Sequence, residues 1–166
     1  DAKHSSAYRT NVSSRNFDDH LALSDILFAQ KIAPTVELSP FSRGALEVVP
    51  HPIRRYAVGT PVPVYFEVYG LDLEERGLSD YQVEYRVVPS SDDKKSIFDR
   101  FDGGETVFGS RFDGSGYNRN EPLHLTIKSD NLKPGLYDFI VRVKDELSQS
   151  ETYRQASFRI VEKSGD

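Results

Sequence analysis

The chain contains no cysteine, no methionine and no tryptophan in 166 residues. Without cysteine there are no disulfides, no thiolate metal sites and no thiol nucleophile. A surplus of positive charge is missing too: 21 Lys and Arg stand against 26 Asp and Glu, for a net charge of −5. That balance argues against a broad basic face gripping nucleic acid. No apolar run approaches the ~20 residues that a membrane-spanning helix requires. Without methionine at its start, the chain reads as a processed or excised segment, with any leader lying outside it. The length fits one domain with a core of its own.

Residues 1–19 are polar and Ser-rich and read as a flexible arm or linker; 163–166 read as a tail. The folded unit is expected over 20–162. There the apolar residues recur with period two, the signature of half-buried strands. Val62, Val64, Phe66 and Val68 alternate with Pro63, Tyr65, Glu67 and Tyr69. The same alternation runs through 81–87, 123–127, 137–143 and 157–161, with weaker strands at about 21–32, 44–49 and 105–112. Pro50-His51-Pro52 cannot lie inside a central strand, because neither proline donates to the ladder. Asp113-Gly114-Ser115-Gly116 reads as a hairpin or loop tip. Residues 92–101 have room for one short turn of helix. The expected fold is all-β, a two-sheet antiparallel sandwich of about seven or eight strands.

Leu132-Lys133-Pro134-Gly135-Leu136-Tyr137 narrows the type. The Pro-Gly-x-Tyr segment resembles the tyrosine corner of immunoglobulin-like and fibronectin type III domains. There the Tyr hydroxyl bonds back to upstream backbone, while Pro fixes φ and Gly permits the turn. On this reading Pro134, Gly135 and Tyr137 are structural.

Chemistry-bearing motifs are sparse. The four histidines, at 4, 20, 51 and 124, form neither His-x-His nor His-Glu-x-x-His. There is no Gly-x-Ser-x-Gly elbow, and no glycine-rich loop opens a helix. Asp99, Asp102, Glu105 and Asp113 lie in a glycine-bearing stretch. Hard oxygen ligands on a flexible loop are what calcium accepts, although the EF-hand register is absent. The competing reading is a solvated loop in which Asp and Gly make turns. No other cofactor is expected. Tyr65 and Tyr69 flank Glu67 on the outward face of one strand, as a platform for a sugar ring, an anchor for a protein partner, or a face covered by a neighbouring segment. Ser24-Asp25 interrupts an apolar strand and is expected to bond local backbone at a bulge.

The order of motifs is similar to that of a known family. Leu21-Ala22-Leu23-Ser24-Asp25-Ile26-Leu27-Phe28-Ala29, Phe41-Ser42-Arg43-Gly44, Val49-Pro50-His51-Pro52 and Val64-Tyr65-Phe66-Glu67-Val68-Tyr69-Gly70-Leu71 carry the match, together with Tyr81-Gln82-Val83-Glu84-Tyr85 and the Pro134–Tyr137 segment. They resemble the sandwich region that accompanies the GWxTD domain in bacterial proteins. The Gly-Trp-x-Thr-Asp signature itself is absent. The resemblance implies an exported protein, periplasmic or at the cell surface, and no known catalytic residues. The function expected is a noncatalytic module for protein–protein or inter-domain contacts. The alternative is a carbohydrate-binding module using exposed tyrosines and loop-end polar groups.

Overall fold

The computed structural model describes residues 17, 20–91, 95–103 and 105–163. Apart from Phe17, the arm expected over 1–19 lies outside the described residues, as does the tail beyond 163. The rest folds into strands and one short helix: β1 (Ala22–Leu23), β2 (Leu27–Pro34), β3 (Ser42–Arg43), β4 (Leu46–Pro50), β5 (Arg55–Ala57), β6 (Val62–Tyr69), β7 (Ser79–Pro89), α1 (Ile97–Gly103), β8 (Phe108–Gly116), β9 (Glu121–Ile127), β10 (Gly135–Asp145) and β11 (Glu151–Val161).

Two sheets face each other. In the first, β6 is flanked on one side by β9 and on the other by β1 and β2 in succession, and β4 and β3 extend it beyond β2. The second runs β5-β11-β10-β7-β8. The alternation seen in the sequence decides which side chains meet between them. Val62, Val64, Phe66 and Val68 are fully buried against Val83, Val87, Phe139, Val141 and Val143. Phe139 sits at the centre, with the rings of Phe28, Phe66 and Tyr85 around it at 6.5, 6.5 and 5.5 Å. Each fully buried apolar side chain of this size contributes roughly 1.5–3 kcal/mol relative to exposure.

One side of the sandwich is tied shut. Tyr56 Oη donates to the Ala29 carbonyl at 2.8 Å, linking β5 to β2. Arg154 Nη2 donates to the Leu23 carbonyl at 2.9 Å, linking β11 to β1. The opposite side ends in β8 and β9, each paired on one edge only among the described residues.

Five expectations need correction. About seven or eight strands were expected, and the described residues form eleven, because the short strands Ala22–Leu23, Ser42–Arg43 and Arg55–Ala57 add to the periodic ones. The sheets are not wholly antiparallel, because β5 runs parallel to β11. The chain leaves the first sheet at Pro50, turns at Arg54 with φ of 53°, and enters the second along the β11 edge. The single strand expected over 21–32 is two. At the break, Ser24 N donates to the Glu67 carbonyl and Glu67 N donates to Ser24 Oγ, both at 2.9 Å. The serine hydroxyl thus replaces a ladder acceptor, and Asp25 itself faces solvent. Asp113–Gly116 is not a loop tip but the end of β8, paired with Ser79–Gln82. Gly114 is there for packing: a Cβ would fall 2.5 Å from the Tyr81 ring. Lastly, the helical turn lies later than expected. It starts after Ser96, whose Oγ accepts from Asp99 N at 3.1 Å and donates to the Asp99 carboxylate at 2.8 Å, an N-terminal cap.

Candidate functional site

A groove of about 450 Å³ lies on the outer face of the first sheet. Ser42, Arg43 and Gly44 at the β3–β4 tip form one wall, Tyr65, Glu67 and Tyr69 the floor, and Asn120 and Pro122 the far side. Period two places the three β6 residues side by side, as expected. What they do there differs from the open platform.

Tyr65 is only 5% exposed. It packs with Ala29 and Val48, and with Leu27, Ile32 and Leu46, in a second small core where β4 folds over the sheet. Its hydroxyl donates to Glu67 Oε1 at 2.5 Å. The Tyr69 hydroxyl donates to the other carboxylate oxygen. Glu67 is therefore clasped by two phenols. Burial, the hydrogen bond to Glu67 and its negative charge all favour the neutral phenol, pushing Tyr69 up to about 12 and Tyr65 well above its ordinary value. The Phe17 ring stacks on Tyr69 at 4.6 Å. The covered-face alternative thus holds for Tyr65, while Tyr69 remains half-buried at the groove. Ala29, Leu27 and Val48, apolar at positions facing away from the main core, were the sequence signal for this second core.

The candidate calcium ligands do not form one loop. Asp99 and Asp102 are on α1, Glu105 follows it, and Asp113 is on β8, where Gln82 Nε2 donates to it at 3.0 Å. Among the described residues no three His, Cys, Asp or Glu side chains are placed to share a metal ion.

Sequence reasoning missed a charged cluster beneath α1, on the outer face of the second sheet. Arg100 Nη2 pairs with Asp138 Oδ2 at 2.5 Å, and both side chains are buried. Ser157 Oγ donates to Asp138 Oδ1 at 2.5 Å. Alternation correctly sent Asp138 outward, but the helix covers that face. Phe101 is fully buried beneath the Arg86 and Arg142 guanidinium groups, 4.4 and 5.2 Å from its ring centre, and Glu84 holds both arginines at 2.9 and 2.7 Å. A second buried acid, Asp145, accepts from the backbone N–H groups of Asp72, Leu147 and Ser148 at 2.7, 2.8 and 3.2 Å. Pro134, Gly135 and Tyr137 sit at the entry to β10, where Tyr137 Oη donates to the Lys133 carbonyl at 2.9 Å.

The open side is different in kind. Phe108 and Phe112 oppose Val87 and Val83 across β7–β8, so they point to the core side of the second sheet. Yet they are 37% and 38% exposed. Leu123 and Leu125 of β9 are partly buried against the core from the other sheet.

No protein-family model and no curated protein sequence matches the chain. Among solved structures, the soluble domain of PmoD from Methylocystis sp. ATCC 49242 (Rockwell) is similar at 13% identity and a TM-score of 0.40, over 82% of this chain and 89% of that one. Among the described residues no helix is long and apolar enough to cross a membrane.

Proposed function

We propose that this domain is a noncatalytic contact module that recognises a protein partner through its open strand edges. The observation that carries this is β8: a nine-residue edge strand, exposed almost throughout, with two phenylalanines on its core-facing side. Such an edge presents unpaired backbone donors and acceptors, and an extended partner strand adds to it. The two buried carboxylates of the described residues and half-buried Glu67 support the same reading. Asp138 and Asp145 are occupied by structural donors and Glu67 by two tyrosines, so each holds the fold together. The Tyr137–Lys133 bond supports an immunoglobulin-like or fibronectin type III-like type. The motif order supports a place beside the sandwich region of GWxTD proteins, and with it an exported bacterial setting.

Panning random nine-residue peptides on the folded chain tests the contact reading. Expected are extended binders with alternating apolar residues, weakened by Phe108→Lys and Phe112→Lys. Failure of the chain to bind any such strand, or another copy of itself, would remove the contact reading. The second reading, a carbohydrate site, rests on the groove, where Arg43, Ser42 and Asn120 stand beside Tyr69. A glycan panel whose binding falls with Tyr69→Ala would favour it.

A further inference from the structure

We infer that the strand which completes the β8 edge is β8 of a second copy, paired antiparallel about a two-fold axis at Phe112. This rests on the contact reading above and names its partner.

The strand reads Phe108-Gly109-Ser110-Arg111-Phe112-Asp113-Gly114-Ser115-Gly116. Edge strands are ordinarily blunted by lysine, proline or a covering segment. This one has neither residue, its charges Arg111 and Asp113 are of opposite sign, and no described strand covers its free edge. It is also complementary to itself. With Phe112 opposite Phe112 of the second copy, Arg111 of each chain faces Asp113 of the other. Two opposite-charge cross-strand pairs then flank the axis, and such pairs stabilise a ladder whereas like charges oppose it. Further out, Ser110 meets Gly114, Gly109 meets Ser115, and Phe108 meets Gly116. Only small residues or an aromatic over glycine are brought together, so nothing holds the backbones apart.

The faces agree with this register. Phe108 and Phe112 lie on the core side of the sheet, where pairing would shield apolar surface now open to water. Arg111 and Asp113 lie on the outer side. Arg111 is opposite Glu84, which Arg86 and Arg142 already occupy, and it forms no ion pair among the described residues. Its guanidinium is thus available to a carboxylate across the axis. A two-fold interface uses the same patch twice and closes, so a self-complementary edge yields a dimer and not a fibre.

Sedimentation velocity over a range of concentrations tests this on the intact chain. A dimer that dissociates on dilution is expected. Arg111→Asp alone and Asp113→Arg alone each set like charges face to face, and each should raise the dissociation constant by more than about tenfold. The double variant Arg111→Asp/Asp113→Arg restores both pairs and should restore the dimer. Phe112→Cys adds the only thiol. Opposed residues in an antiparallel ladder have Cα atoms ~4.5 or ~5.5 Å apart, within disulfide reach, so mild oxidation should cross-link the dimer. Should Phe112→Cys fail to fold, the exposed charge-swap set decides alone. A monomer at every concentration, or a dimer indifferent to the charge swaps, overturns the self-pairing. A monomer that still captures extended peptides overturns self-pairing and leaves the contact reading standing. A monomer that captures none overturns both.

Discussion

Tyr137 carries its consequence in one hydroxyl. The ring is 7% exposed and stacks on Phe158 at 5.9 Å, so its apolar part is shared with the core. The bond to the Lys133 carbonyl is the part that Tyr137→Phe deletes. That change should cost roughly 1 kcal/mol, the net worth of one hydrogen bond. The urea midpoint should fall with its slope unchanged, and an unmoved midpoint would show the hydroxyl to be idle. Tyr69 makes a prediction in pH. Its neutral phenol is favoured in the folded state, with its pKa pushed up to about 12 by burial and by Glu67. The unfolded phenol titrates near 10. Its contribution to stability is therefore complete below about pH 10 and is lost as pH rises through about 12. Ultraviolet titration should show a late-ionising phenol that disappears in Tyr69→Phe and moves to lower pH in Glu67→Gln. A late phase identical in all three proteins would refute the assignment.

Helix α1 is short, and isolated helices of this length are not stable in water. Its cap at Ser96 fixes where it begins, but its docking depends on what lies beneath. Phe101 and Ile140 are fully buried with Val88 in a separate cluster, and the Arg100–Asp138 pair is buried beside them. Removing one member of a buried ion pair leaves the other unsatisfied. Asp138→Ala should destabilise by about 3–5 kcal/mol, and Arg100→Met/Asp138→Leu by clearly less. Chemical denaturation of the two variants separates them; equal losses would mean that packing, not charge, holds the helix. The β3–β4 hairpin makes the same point on the other sheet. Because it folds onto Tyr65, Tyr65→Ala should lower the thermal midpoint by several degrees through lost packing.

At the scale of the whole molecule, one main core spans both sheets, so they should unfold together. Far-ultraviolet circular dichroism and near-ultraviolet tyrosine signals should give coincident urea transitions; separated midpoints would show that the sheets melt independently. The pairings are distant in sequence: β1 and β2 join β6, β9 joins β6, and β10 joins β7. Loop closure must precede those contacts, which places refolding in the millisecond-to-second range of β-sandwiches.

Local chemistry made much of this fold legible. Alternation in 62–69, 81–87 and 137–143 names the core face of each strand, because side chains in a strand point to opposite sides whatever the partner. Lys133-Pro134-Gly135-x-Tyr137 acts over a few residues, so its turn geometry was readable as well. Ser24-Asp25 was expected at a local bulge, but Ser24 stands at a break between two strands and bonds to Glu67, far along the chain, while the bulge of β2 lies between Ala29 and Lys31. Other features depend on which segments come to lie on which face. Asp113–Gly116 has turn composition, yet the long β7 edge draws it into the ladder, and Gly114 makes room for the Tyr81 ring. Tyr65 and Asp138 both point away from the main core, as their parity requires. Both are buried because β4 and α1 fold over the sheets, and a covering element is a long-range contact that period two does not encode. The tertiary structure likewise decided that one side of the sandwich is tied by Tyr56 and Arg154 while the other ends, among the described residues, in strands paired on one edge only. A free edge is a property of the neighbours that a strand lacks, and no residue within the strand records it.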